Sequence, residues 1–354
     1  MEKKEYHVVG VMSGTSLDGI DLVQAKFFLD KVWSFEILNA ETIDYSDSWR
    51  NILGGLVGNS IEELRAIDID YSAYLADVIM TFLKKFKVED MNAICSHGHT
   101  ALHQPEQGLT YQIGNQSILA TLLKEKIVCD FRVQDVELGG QGAPLVPIGD
   151  KLLFSEYDYC INLGGFANIS MDVNGSRIAY DICPVNIVLN YYTKQLGLQY
   201  DAGGQIASTG HLNEELLKAL NALGFYKELY PKSLGLEWVN KYVFPLVDSF
   251  DLEVKDVLRT FVEHVAIQIA NQIISNTLAT IFITGGGAYN TYLINRVKAH
   301  SNGLIIIPNH DVLEFKEALI FGFLGVLKLR EEINCLKSVT GASKNHSSGK
   351  IFIP

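Results

Sequence analysis

The chain has 354 residues, 48% of them hydrophobic and 20% charged. That length exceeds one ordinary core and points to two domains, and the composition excludes a disordered or fibrous protein. The formal net charge is −12, and no basic stripe is present to make a nucleic-acid-binding surface.

Residues His7 to Met12 read as a strand, a polar glycine-rich turn follows, and Ile20 to Phe28 read as a second strand. The lead MEKKEYHVVGVMSG is basic, but Gly10, Ser13 and Gly14 cut its apolar run too short for a signal peptide. A helix is expected near Ile61 to Phe86, a strand at Met91 to Gly98, a helix near Asn115 to Lys126 and a strand at Ile127 to Phe131. The first arrangement then recurs. Tyr159 to Leu163 read as a strand, Gly-Gly-Phe-Ala-Asn as a turn and Ile169 to Val173 as a strand. From Phe261 to Leu278, apolar residues at 262, 265, 266, 269, 273, 274 and 278 have helical spacing. Residues 280–290 read as strand, glycine turn and helix start, and the polar stretch Thr340 to Gly349 as a loop. The longest apolar stretch, Ala318 to Leu327, is about half of a membrane span. Mixed strands and helices throughout give an α/β class.

The weak repeat predicts two similar domains, with the seam near the glycine-rich Leu138 to Asp150, a segment that reads equally as an active-site loop. The expected division is 1–140 and 141–354, with the C-terminal segment able to return to the first domain. Five cysteines, at 95, 129, 160, 183 and 335, have no CxxC spacing and read as reduced thiols. The expected location is the cytoplasm, with neither a membrane nor a nucleic acid as partner.

Three turns rich in Gly, Ser or Thr directly follow apolar strands: Ser13 to Gly19, Gly164 to Asn168 and Gly285 to Ala288. Such turns present several N–H groups to one point, which suits phosphate, although a glycine hairpin also arises for steric reasons alone. Together they favour a nucleotide site. It is neither a P-loop nor a dinucleotide fold, since no GxxxxGK[ST] and no helix-opening GxGxxG occurs. Asp18 and Asp21 follow the first turn. A carboxylate beside phosphate needs a cation between them, so Asp18 either holds Mg2+ through water or is an ordinary turn residue.

GVMSGTSLDGID (Gly10 to Asp21) resembles the first phosphate hairpin of the anhydro-N-acetylmuramic acid kinases, a branch of the sugar kinase, Hsp70 and actin superfamily. The likeness extends in order through SHGHTALHQP, DFRVQDVELGGQGAPLVP, NLGGFANIS, DAGGQIASTG, PKSLGLEW, TGGGAYN and SVTGAS, nearly the whole chain. It implies two actin-like, ribonuclease H-like domains around a central nucleotide-binding cleft, and a homodimer. It implies ATP held by Gly14, Thr15, Ser16, Leu17, Asp18, Gly19, Ile20 and Asp21, by Gly164, Gly165 and Asn168, and by Gly285, Gly286 and Gly287 near the adenosine. The implied substrate is 1,6-anhydro-N-acetylmuramic acid, a wall-recycling sugar whose internal ether is cleaved by water while O6 is phosphorylated.

That chemistry sets the demand on the protein. O6 is part of an ether and has no proton to lose, so the base must take a proton from the water attacking C1. An Asp at a strand end before a helix is ordinarily a cap or turn residue. The resemblance instead makes Asp181 the catalytic base, with Pro184 able to open the helix after it. It implies Glu317 near the reacting sugar, and Thr100, Arg132 and Asn186 in the sugar site, where a guanidinium suits the lactyl carboxylate. His97, His99 and His103 have a spacing that could ligate zinc, but no Cys or acidic residue completes an evident set. The chain departs from the family at Cys183 and Val185, where glycines are usual, at His99 for glutamine and at Leu236 for arginine. The changes beside Asp181 are expected to shift the base or narrow the sugar pocket.

Overall fold

The protein is described here from a computed structural model covering residues 3–14, 16–273 and 278–354. The chain divides into two units, Met1–Leu153 with Phe315–Pro354, and Phe154–Glu314. The expected boundary at 140/141 therefore falls inside the first unit, and residues 315–354 pack with that unit rather than with the second.

In the first unit, β1 (Glu5–Ser13), β2 (Ile20–Leu29), β3 (Trp33–Ile43), β4 (Ala93–Gln104), β5 (Leu109–Ile113) and β6 (Ile127–Cys129) form the sheet. In the second, the strands are β7 (Tyr159–Leu163), β8 (Phe166–Val173), β9 (Ser176–Pro184), β10 (Thr280–Thr284) and β11 (Leu304–Ile306). The last strand, β12 (Lys350–Phe352), returns to the first sheet and pairs with β6. The strand orders are β12-β6-β4-β1-β2-β3, with β5 branching from β4, and β11-β10-β7-β8-β9. Each sheet is an antiparallel three-strand meander whose first strand pairs in parallel with a later one, β1 with β4 and β7 with β10. The weak sequence repeat is thus a repeat of topology, and both units have the actin-like, ribonuclease H-like plan.

The parallel pairings require helical crossovers. In the first unit the crossover contains Ile61–Phe86, the span read from its periodicity. Ser60 and Glu63 form a reciprocal capping box, and Leu64, Tyr71, Leu75, Ile79 and Phe82 make the buried stripe. The expected helix at 115–126 is shorter, Ile118–Leu123. The helix expected over 261–278 runs instead from Val254 to Ala270, and residues 274–277 lie outside the described residues. Pro184 ends β9 and the helix begins at Asn186, so the proline does not occupy its first turn.

The stretch Ala318 to Leu327 lies in the helix His310–Leu329 and is buried on every face. Among the described residues no helix is long and apolar enough to cross a membrane. Small residues set its approach to the sheet. A Cβ on Gly10 of β1 would lie 2.0 Å from the Ala318 carbonyl oxygen, and one on Gly325 would lie 2.1 Å from Cys95 Sγ. At Gly10 strand and helix meet backbone to backbone, and at Gly325 the helix backbone meets the Cys95 side chain, approaches that only glycine permits.

Candidate active site

The first glycine turn joins β1 to β2. Ser13, its last strand residue, is buried and anchors a polar cluster beneath the turn. Tyr71 Oη donates to Ser13 Oγ at 2.8 Å, Tyr45 Oη lies 2.5 Å from it, and His99 Nδ1 lies 2.8 Å away. Burial raises both phenols, so they stay neutral donors, and burial pushes His99 down to about 4, so it is neutral too. This base under the turn was not legible in the sequence. Its tyrosines stand 32 and 58 residues from Ser13, without local pattern.

Above that base, Leu17 N donates to the Gly14 carbonyl and Leu17 takes φ 62°, so the turn is tight. Ser16 and Asp18 are exposed, and Gly19 is buried. Thr15 lies outside the described residues. Ile20 is fully buried in the core, and Asp21 Oδ1 accepts from Thr42 Oγ1 at 2.6 Å. The side chains of these last two are committed to the fold, which leaves Ser16 and Asp18 as free polar groups among the turn's described residues.

Arg132 follows β6 at the start of the short helix Val133–Glu137. Its Nε donates to His97 Nε2 at 2.8 Å, and its Nη1 donates to the Gly142 carbonyl at 2.7 Å. His97 Nδ1 lies 2.8 Å from the Gly98 carbonyl, which only accepts, so that nitrogen carries the proton. Burial, then Arg132, hold His97 well below its usual range, which keeps Nε2 free to receive the guanidinium. Burial lowers Arg132 itself to about 10, against the pull of Glu317. Glu317 remains open to water, yet desolvation by the protein around it raises its carboxyl, opposed by Arg132 and Lys316. Thr100 is half-buried on β4, one residue beyond His99. The three histidines serve separate partners: His97 takes Arg132, His99 takes Ser13, and His103 Nδ1 lies 3.1 Å from Thr110 Oγ1. Among the described residues they do not form a cluster of metal ligands.

In the second unit, Gly164 and Gly165 turn β7 into β8. Their carbonyls accept the N–H groups of Val185, Asn186 and Ile187, which fixes the start of the helix Asn186–Lys194 against the turn. Asn186 Nδ2 donates to the Leu163 carbonyl at 3.3 Å, so this side chain also braces the turn. Gly285 has φ 84°, and a Cβ there would lie 2.6 Å from Asn162 Oδ1 and 2.9 Å from the Leu163 backbone. Gly287 is equally confined against Leu163, whereas Gly286 is open. The third turn is therefore packed against the end of β7, where the second turn begins.

Asp181 sits on β9 as the cross-strand partner of Asn168 on β8, beside a register shift between Ala167 and Asn168. Leu234 N donates to Asp181 Oδ2 at 2.8 Å. Among the described residues Oδ1 has no protein hydrogen bond. Desolvation raises the Asp181 carboxyl above its usual range, and the Leu234 N–H offsets part of this. Cys183 and Val185 are both fully buried in the unit's core. Their side chains are part of the unit's packed hydrophobic interior. Leu236 is exposed.

The anhydro-N-acetylmuramic acid kinase family model matches residues 6–354. The chain belongs to this family. A Sulfurovum sp. anhydro-N-acetylmuramic acid kinase is 30% identical and covers 100% of both chains. The Coxiella burnetii enzyme of the same name is 32% identical over 99% of this chain and 98% of its own. Among solved structures, an activator of the 2-hydroxyisocaproyl-CoA dehydratase from Clostridium difficile with bound ADPNP aligns at TM-score 0.44 and 13% identity, covering 92% and 97%. The family match spans both units.

Proposed function

We propose that the chain uses ATP and water to open 1,6-anhydro-N-acetylmuramic acid and phosphorylate its O6. The products are N-acetylmuramic acid 6-phosphate and ADP, a step in reuse of cell-wall sugar. The observation that carries this reading is the setting of Asp181. It is a half-buried carboxylate with a raised proton affinity, one oxygen oriented by a backbone N–H and the other free of protein partners among the described residues. A general base needs that combination of fixed aim, spare lone pair and a pKa drawn towards neutrality.

In the proposed reaction Asp181 takes a proton from water as the water oxygen bonds to C1. The C1–O6 bond breaks, O6 bonds to the γ-phosphorus, and ADP leaves. No separate acid is needed on O6, because phosphorus captures it. Arg132, held by His97 and Gly142, offers its remaining guanidinium N–H groups to the lactyl carboxylate. Thr100 and Glu317 complete the proposed sugar contacts. The three glycine turns offer N–H groups to ATP.

Asp18 fits a hydrated Mg2+, since it is exposed and has no protein hydrogen bond among the described residues. Such an ion would neutralise charge on the phosphates. We further infer a cytoplasmic protein and a homodimer on the family resemblance alone.

The test is one incubation of protein, Mg-ATP and the anhydro sugar in oxygen-18 water, read by mass spectrometry. A sugar phosphate carrying one heavy oxygen is expected. A light product would remove water, and with it Asp181, from the C1 step. No product with nucleotide still bound would favour a kinase for another sugar, which the exchange of glutamine for His99 near the sugar segment also permits.

A further inference from the structure

The first unit holds a second cluster of chemically capable side chains. Cys335 and His346 are paired by a reciprocal bridge: Cys335 N donates to the His346 carbonyl at 3.1 Å, and His346 N to the Cys335 carbonyl at 3.2 Å. Directly opposed residues in an antiparallel bridge point their side chains to the same side. That side faces Asp135 on the helix Val133–Glu137. Gln141 N to the Thr340 carbonyl at 2.8 Å and Ser348 Oγ to the Phe131 carbonyl at 2.6 Å hold the two segments together.

All three residues are buried, and one ligand atom from each lies within 4.8 Å of the other two. Cys335 Sγ is 3.0 Å from Asp135 Oδ1, and His346 Nε2 is 3.6 Å from the same oxygen. His346 Nδ1 lies 3.1 Å from the Lys344 carbonyl, which only accepts, so Nδ1 is the protonated nitrogen. Among the described residues Nε2 has no hydrogen-bond partner, although His346 is only 5% exposed. With Nδ1 carrying the proton, the Nε2 lone pair faces Asp135 Oδ1, which already accepts from Thr340 Oγ1 at 2.7 Å and from the Cys335 thiol. A buried lone pair so placed calls for a cation.

We propose that Asp135, Cys335 and His346 form a buried zinc site. Thiolate, imidazole and carboxylate are a zinc donor set, and the sulfur and nitrogen disfavour Mg2+ and Ca2+. An imidazole whose second nitrogen donates to a backbone carbonyl has the orientation of a metal-ligating histidine. Zinc bonds of about 2.0–2.3 Å span ligand pairs roughly 3.3–3.7 Å apart, close to the two separations here. On binding, the Cys335 thiol gives its proton to solvent, and Sγ, Nε2 and Oδ1 each donate one pair to the metal. A water takes the fourth position. The metal clamps the segment 335–346 to the helix that follows Arg132. Asp135 Oδ2 already accepts from Gly142 N at 2.7 Å, and the Gly142 carbonyl receives Arg132.

The test is metal binding by the full chain, without reference to its kinase activity. Protein stripped with a chelator is titrated with Co2+ alone. A thiolate-to-cobalt charge-transfer band is expected, saturating at one equivalent and displaced by Zn2+. Cys335→Ser should abolish the band and His346→Gln should weaken Co2+ binding at least about tenfold, the scale for a disturbed metal shell. X-ray absorption at the zinc edge on the loaded wild-type chain should show one sulfur among nitrogen and oxygen neighbours, a readout that needs no variant to fold. No charge-transfer band, a band that survives Cys335→Ser, or a sulfur-free zinc shell would each overturn the site.

Discussion

At the scale of single residues, the reactive groups are set by what surrounds them. Asp181→Asn should lower kcat by at least about a hundredfold while nucleotide binding persists, since it removes the proposed base and keeps the shape. Turnover unchanged in that variant would take the base role from Asp181. The base acts ionised, so activity falls as pH drops through its pKa. Desolvation raises that pKa, so the acidic limb of kcat/KM should lie above the ordinary carboxylate range. A limb at the ordinary value would contradict the burial argument. Arg132→Ala should raise the KM for the sugar with little change in the KM for ATP. His97 supports that arginine as a neutral acceptor, a role the sequence did not show, since H-x-H-x3-H reads as readily as a metal motif.

At the scale of elements, local pattern and long-range contact divide the work. The span Ile61–Phe86 was legible because its cap and its apolar stripe are both local. The strand that precedes each glycine turn was legible for the same reason. The extent of β4 was not: its C-terminal half is polar and is held by β5, which no short-range signal announces. The fit of the helix His310–Leu329 against β1 is likewise tertiary. Gly10→Ala places a methyl into the Ala318 carbonyl, and the backbone must move. A loss of at least about 1–3 kcal/mol, the scale of overpacking, is expected in denaturant melts. Unchanged stability would show that helix and strand are not so closely apposed in solution.

At the scale of the whole molecule, the repeat of strand order is the organising fact. The second unit is one continuous stretch with its own core, while the first is assembled from two stretches far apart in sequence. A fragment of residues 154–314 should therefore unfold cooperatively by circular dichroism. A fragment of residues 1–153 should not, because it lacks β12 and the helix packed on Gly10 and Cys95. Cooperative unfolding of the shorter N-terminal fragment would mean that the returning segment is dispensable.

The sequence by itself determined the α/β class, the three glycine turns and the motifs of the family, because hydrophobic periodicity and turn chemistry are properties of neighbours along the chain. The tertiary structure alone decided which polar groups stay available. Ile20 and Asp21 follow the first turn but are spent on core and sheet, whereas Leu234 reaches Asp181 from 53 residues away. It also decided that Cys183 and Val185 fill the core, and that Asp135, Cys335 and His346 share one buried point. Burial and hydrogen-bond partnership depend on what the fold brings near, and spacing along the chain does not encode that.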